Sequence, residues 1–313
     1  MKSSPKPRTV TNFSIGPGQI EAPGQVTTLI DLLPNTAMQD RSFPSDFVRV
    51  LAPALRHAAS IARSLEGRVS NRPKAGEATA VKAALTTADT ASQEALLVPL
   101  LEHFPQVKLE AEEDTPSVSR FSKSGDAQVV IDPIDGTLRF YLEGKGPYAV
   151  MIGLAIGDRY EASLVALPRE QLCFDAVRGR GARVRSKDAA IKAVTLGEPT
   201  GNRILVSHNL PSSAVERLRD LGYEVAAAAG GAISVASLIP GVCAGLRLAR
   251  ENAEGVSIRG RIGALISAEA GALVMGASDP FPSEIRTPAP ALLIATTPEA
   301  LDHLQDALST IQD

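Results

Sequence analysis

Two aspartates three residues apart, Asp132 and Asp135, close the apolar run V-V-I-D-P-I-D-G-T at residues 129–137. Carboxylates at a strand end can be aimed at one point by the turn that follows. A hard cation such as Mg²⁺ takes oxygen ligands at about 2.0–2.1 Å, typically a few carboxylates, waters and substrate phosphate. The carbonyl of Ile134, between the two aspartates, could add another oxygen. Gly136 and Thr137 come next. A glycine lets backbone N–H groups approach a phosphate, and a threonine hydroxyl can orient a water. The plainer reading is a turn, because Asp-Gly is a turn dipeptide. On these residues alone both readings stand. Further acidic residues lie upstream. Asp89 opens a helical pattern, and Glu112 sits in E-A-E-E at 110–113. Their plain readings are a helix-cap carboxylate and a solvated acidic cluster.

The elements around these residues follow from periodicity. Residues 44–65 carry an apolar stripe at helical spacing, with Ser45 as a candidate cap and Pro53 as a candidate kink. Residues 71–80 read as a loop and 89–104 as a helix. After the Asp132–Thr137 stretch, residues 149–156, 162–167 and 171–184 read as closely spaced antiparallel strands. Beyond about residue 190 strands alternate with helices, an α/β texture. There, 204–209, 223–228 and 290–298 read as strands. Residues 212–221, 261–271 and a closing segment from Pro298 read as helices, as does the small-residue stretch GAISVASLIPGVCAGLRLA, with Pro240 inside it. The expected divisions are a flexible leader over 1–43, an N-terminal α+β half over 44–190 that bears the candidate metal residues, and a C-terminal α/β half over 191–313.

Composition narrows the function classes. Of the 313 residues, 44% are hydrophobic and 21% charged, an ordinary globular balance. The formal net charge is −3, which argues against nucleic acid as a partner. No run of about 18 apolar residues lacks a charge or a helix breaker, so no membrane span is expected. The first residues, MKSSPKPRTVTNFSIGPGQIEAPG, are basic without an apolar core segment and do not read as a secretory signal. The two cysteines lie far apart, consistent with a reduced, cytoplasmic setting. The four histidines show no ligand spacing, and Ser207-His208 lacks the context of a nucleophilic serine.

With these residues in view, D-P-I-D-G-T at 132–137 resembles the signature of the inositol monophosphatase family of Mg²⁺-dependent, lithium-sensitive phosphatases. Other segments are similar in the same order: ALTTADTASQEAL at 84–96, EAEE at 110–113 with Ala111 in a glycine position, FDAVRGRGARV at 174–184, and ISAEAGALV at 266–274. The resemblance spans about residues 45–300. It implies a layered α-β-α-β-α sandwich. It implies Mg²⁺ held by Glu112, Asp132, Asp135 and the Ile134 carbonyl, with Asp89 holding a further metal or its water. It implies that Thr137 and Glu112 orient the attacking water, while Gly136 and Thr137 hold the phosphate. The substrate so implied is a small phosphate monoester, inositol phosphate being the family default. Many relatives are dimers, so a homodimer is compatible with the resemblance, though no interface is legible.

The chain departs from the family at a second signature, W-D-x-A-A-G. It contains no tryptophan, and the match places Ile258 and Arg259 where Trp and Asp stand. A guanidinium is not a metal ligand, since it stays protonated. Arg259 could supply fixed positive charge and grip a phosphate, or the site could be weakened. Arg139 stands where the family usually has Asn. Two alternatives to an inositol-phosphate phosphatase follow. One is a 3′(2′),5′-bisphosphate nucleotidase-like phosphatase, for which Arg259 and Arg261 could grip a second phosphate. The other is a catalytically weakened member that binds a phosphorylated ligand or a partner.

Overall fold

The structure is a computed structural model, and it describes residues 42–311 except 78, 188 and 189. The chain divides into two compact units, Met1–Gln39 and Asp40–Asp313, and only the second contains described residues. Most of the expected leader, residues 1–41, therefore lies outside the described residues, while Phe43 already opens the first helix.

Helix α1 (Phe43–Leu65) runs through Pro53 and buries Phe47, Val48, Leu51, Leu55, Ala58 and Ala62 along one side. Ser45 does not cap it. The cap position is Ser42, and the Ser45 hydroxyl accepts a hydrogen bond from Arg180 at 2.8 Å. After the short α2 (Ala80–Ala83) comes α3 (Thr87–His103), which packs against α1. The first sheet follows: β1 (Lys108–Glu110), β2 (Ala127–Asp135), β3 (Ala149–Ile156), β4 (Arg159–Leu167), β5 (Leu172–Val177), β6 (Ala182–Ser186) and β7 (Lys192–Val194). Its spatial order is the chain order, antiparallel except for the parallel β1–β2 pair.

The second sheet is built from β8 (Arg203–Val206), β9 (Glu224–Ala227), β10 (Val242–Leu248), β11 (Leu273–Met275) and β12 (Ala291–Ala295), in the order β11-β12-β10-β8-β9. Helices α4 (Ser212–Asp220), α5 (Gly230–Ser234), α6 (Ile262–Glu269) and α7 (Pro298–Ser309) complete the fold. Helices α1 and α3 cover one face of the first sheet, α5 and α6 fill the space between the sheets, and α4 and α7 cover the outer face of the second. The result is an α-β-α-β-α sandwich. Its central core joins Val130, Met151 and Phe174 to Ile233, Ile262 and Leu265, an apolar interior too large for either sheet alone to cover.

A second expectation is also overturned. The stretch GAISVASLIPGVCAGLRLA is not one helix. It breaks after α5 and a 3-10 turn at Ala236–Leu238, and Gly241 (φ 81°) turns the chain into β10. Val242–Leu246 is buried there between β8 and β12. Small residues suit this central strand for a packing reason: a Cβ on Gly245 would lie 2.7 Å from the Ile233 carbonyl oxygen.

Candidate active site

In a regular strand, residues three apart point to opposite faces. Asp132 and Asp135 escape that alternation because β2 bulges between them. Asp132 pairs with Met151 on β3, and Asp135 pairs with Ala149, so three steps on β2 match two on its neighbour. A bulge of this kind re-aims side chains. Here it brings both carboxylates close enough for the charge of Asp135 to act on Asp132. The bulge holds Pro133, which has no N–H to lose from the ladder.

Four segments converge on this point. Asp89 is the third residue of α3 and completes a capping box: its Oδ2 accepts from the Thr86 N–H at 2.7 Å and the Thr86 hydroxyl at 2.6 Å. Its Oδ1 lies 2.9 Å from the Thr137 hydroxyl, which is also 2.9 Å from the Ile134 carbonyl oxygen. The plain reading of Asp89 as a helix cap and the reading as a site carboxylate therefore hold together, one oxygen for each. Glu112 comes from the loop after β1. Gln93 clamps that loop by accepting from the Glu113 N–H and donating to the Glu113 carbonyl. Glu113 turns to Lys74 at 2.9 Å, while Glu112 lies close enough to Asp132 for its charge to act on it. The Gly231 N–H, at the start of α5, donates to Asp135.

Gly136 sits at φ 88°, left-handed, and starts the π-helical turn Thr137–Leu142. A Cβ there would lie 2.6 Å from the Phe140 ring and 2.9 Å from the Ala229 Cβ. The backbone N–H groups that open this turn have no acceptor within it.

Arg259 enters from a 3-10 turn, Arg259–Arg261, ahead of α6. Its guanidinium donates to the Ile131 carbonyl at 3.1 Å and the Ala111 carbonyl at 2.9 Å, and its positive charge acts on Asp132. It thus bridges β2 and the acidic loop. Arg261 turns elsewhere. It donates to the carbonyls of Val256, Glu284 and Thr287 and stacks on Phe281, which leaves it no part in gripping a phosphate beside Arg259.

The electrostatics follow from crowding. Burial, then the charges of Glu112 and Asp135, push the Asp132 carboxyl well above the usual carboxylate range, while Arg259 pulls it back. Burial also pushes Asp89 up, against the lowering effect of its hydrogen bonds from Thr86 and Thr137. The Asp132 Oδ1 atom is buried without a hydrogen-bond partner. A buried carboxylate oxygen with no donor, beside two more carboxyl groups, suits a hard divalent cation in donor type. The side-chain oxygens are not closed around one point: among the described residues, no group of three or more His, Cys, Asp or Glu side chains is arranged to hold a metal ion.

Sequence reasoning missed two neighbours of this site. Arg247, near the C-terminal end of β10, is buried and feels the charges of Asp135 and Asp132. His208 sits edge-on to Phe140, with ring centroids 6.4 Å apart. Burial, then Arg139 and Arg250, lowers its pKa. A larger cavity of about 490 Å³ lies between α1 and β5–β6 and is lined by none of the acidic site residues.

The layered sandwich brings an acidic strand end to face an arginine-bearing turn. Residues 46–310 match the family model described as "Inositol monophosphatase family", and the chain belongs to that family. A protein named Nus factor SuhB from Pasteurella multocida (strain Pm70) is 32% identical over 123 residues, 37% of this chain and 45% of that protein. Inositol monophosphatase 2 of Homo sapiens is 30% identical over 174 residues, 53% of this chain and 58% of that protein. The matched segments thus span about half the length of these curated relatives. A solved structure described as IMPase/NADP phosphatase complexed with Mg²⁺ and phosphate superposes with a TM-score of 0.63 at 15% identity, covering 85% of this chain and 96% of that one. At that identity the likeness concerns the fold. Among the described residues, no helix is long and apolar enough to cross a membrane.

Proposed function

We propose that the protein hydrolyses small phosphate monoesters in a Mg²⁺-dependent reaction. The observation that carries this reading is the partnerless, buried Asp132 Oδ1 pressed between Glu112 and Asp135. Glu112, Asp132, Asp135 and the Ile134 carbonyl would hold the cation, which supplies charge neutralisation and a more acidic water. The family and a relative's name, Inositol monophosphatase 2, support the same reaction class.

The rest is the work of the chain's own groups. The Thr137 hydroxyl donates to Asp89, so its oxygen is left to accept a proton from a water in front of it. Asp89 keeps that hydroxyl in one orientation, because its other oxygen is tied to Thr86. Glu112, partly exposed, is the second acceptor for the water. The N–H groups of Gly136 and Thr137 would receive the phosphate, and glycine is needed at the first position because a Cβ there would meet Phe140 and Ala229. Arg259 supplies a fixed positive charge beside Asp132, where the family's second signature would supply another carboxylate. Fewer cations are therefore needed to neutralise the cluster, and one Mg²⁺ is the expected complement.

The test is phosphate release from a panel of phosphomonoesters with and without Mg²⁺, repeated with Asp132→Asn. Release that needs Mg²⁺ and falls at least about a hundredfold in the variant is the expected result, the scale of losing a group that stabilises transition-state charge. If no ester is hydrolysed with Mg²⁺ present, the protein is a binding member of the family. A relative named Nus factor makes that the alternative outcome.

A further inference from the structure

A cavity of about 50 Å³ opens beside Gly136, between the π-helical turn and the second sheet. A single water needs about 10–15 Å³ measured in this way, so this space holds a phosphate or carboxylate group and not a sugar ring. Its wall carries three arginines, Arg139, Arg247 and Arg250, with His208, against one acidic residue, Asp135.

Arg247 is the informative one. Its side chain rises from the C-terminal end of β10 and is only 8% exposed. Two glycines hold its guanidinium from either side. A Cβ on Gly260 would lie 2.5 Å from Cζ, and one on Gly230 would overlap Nη1. In this slot Nη1 has no hydrogen-bond partner. Asp135 and Asp132 attract Arg247 through space, but no ion pair closes between them among the described residues. A buried guanidinium left unpaired is costly, and the cost disappears when an anion meets it. Arg139 repeats the feature, since its Nε is buried without a partner. Arg250 stands exposed at the rim. Three like charges around one small space repel each other until something negative enters.

We propose that this cavity receives a second anionic group of the substrate, a carboxylate or a further phosphate on the alcohol side of the ester. The preferred substrates are then phosphate esters of anionic alcohols, not of neutral polyols. This rests on the phosphatase reading above and deepens it. Arg247 and Arg139 meet the second anion, and Arg250 steers it in.

The experiment is calorimetric binding, in the presence of Mg²⁺, of three probes matched in chain length: propylphosphonate, 3-phosphonopropionate and propane-1,3-bisphosphonate. Initial rates on glycerol 2-phosphate and 2-phosphoglycerate are measured alongside. The doubly anionic probes are expected to bind at least about tenfold tighter than propylphosphonate, the worth of one charge-assisted hydrogen bond. Whichever of the two binds tighter identifies the second group as carboxylate or phosphate. Arg250→Gln, at an exposed position, should narrow the advantage to about threefold. Arg247→Lys should remove the advantage if the variant folds. Equal affinity for the three probes overturns the proposal, as does an advantage that Arg250→Gln and Arg139→Gln both leave unchanged. Hydrolysis of glycerol 2-phosphate with equal probe affinities sinks this inference alone. Selective binding of the doubly anionic probes without hydrolysis of any ester sinks the phosphatase reading and leaves the anion site standing.

Discussion

Replacing Arg259 with methionine removes two hydrogen bonds and one charge while keeping much of the side-chain bulk. The lost bonds are those to the carbonyls of Ile131 and Ala111. Hydrogen bonds from a charged donor contribute about 1.5–3 kcal/mol each, and the partial exposure of Arg259 favours the lower end, so the two together account for about 3 kcal/mol. The lost charge adds to this, because Asp132 keeps Glu112 and Asp135 beside it with less to oppose them. A total of about 3–5 kcal/mol is expected, the range seen when one partner of a buried ionic contact is removed. At about 2–4 °C per kcal/mol for a protein of this size, Tm falls by roughly 6–20 °C. Urea unfolding of four metal-free proteins separates the two contributions: wild type, Arg259→Met, Asp132→Asn and the double variant. If the charge matters, Asp132→Asn restores part of what Arg259→Met loses, and the coupling exceeds about 1 kcal/mol. Additivity within about 0.5 kcal/mol would refute the electrostatic part of the reasoning and leave only the two backbone bonds.

Other consequences follow from the same geometry. Arg259→Asp places a carboxylate beside Asp132 and should strengthen Mg²⁺ binding, read as a larger rise in Tm on Mg²⁺ titration; an unchanged titration would put Arg259 outside the site. Gly136→Ala forces a side chain into a left-handed conformation and against Phe140 and Ala229, costing about 2–5 kcal/mol from strain and overpacking together. Near-native stability of that variant would mean the turn can relax. Asp132 also makes a pH prediction. Its folded-state pKa is raised above the ordinary value of 3.8, so its contribution to stability is full below that value and is lost as pH rises through the raised one. Metal-free wild type should therefore lose stability relative to Asp132→Asn as pH rises above 3.8 through the raised value, and saturating Mg²⁺ should offset that loss by binding the ionised carboxylate. A constant difference in urea midpoints across that window would count against a raised pKa. Gly230→Ala collides with the Arg247 guanidinium and should lower Tm more than Gly222→Ala, which strains its backbone (φ 88°) but meets no neighbour within 4 Å.

Much of the fold was legible because its signals are local. The apolar stripe of α1, the start of α3, the antiparallel strands between Ala149 and Val184 and the closing helix from Pro298 follow from periodicity and from punctuation by Gly and Pro. The failure at β10 has a local cause too. Val242–Leu248 is a short apolar segment with small residues, and such a segment reads equally as a buried helix or a buried strand. Only its place between β8 and β12 settles the matter. That one misreading also hid Arg247, which on a helix would have been an unremarked surface cation.

The sequence by itself determined the chemistry of the candidate site: which oxygen donors exist, their order along the chain, the glycine and threonine after them, and the arginine where the family carries an aspartate. These are properties of residue type and spacing and survive without a structure. Tertiary structure decided which way the side chains point. The bulge between Asp132 and Asp135, the division of Asp89 between Thr86 and Thr137, the two carbonyls held by Arg259 and the glycine slot around Arg247 all depend on segments far apart in sequence. No local pattern encodes such meetings, because the energies that fix them come from packing two sheets and the helices between them into one interior.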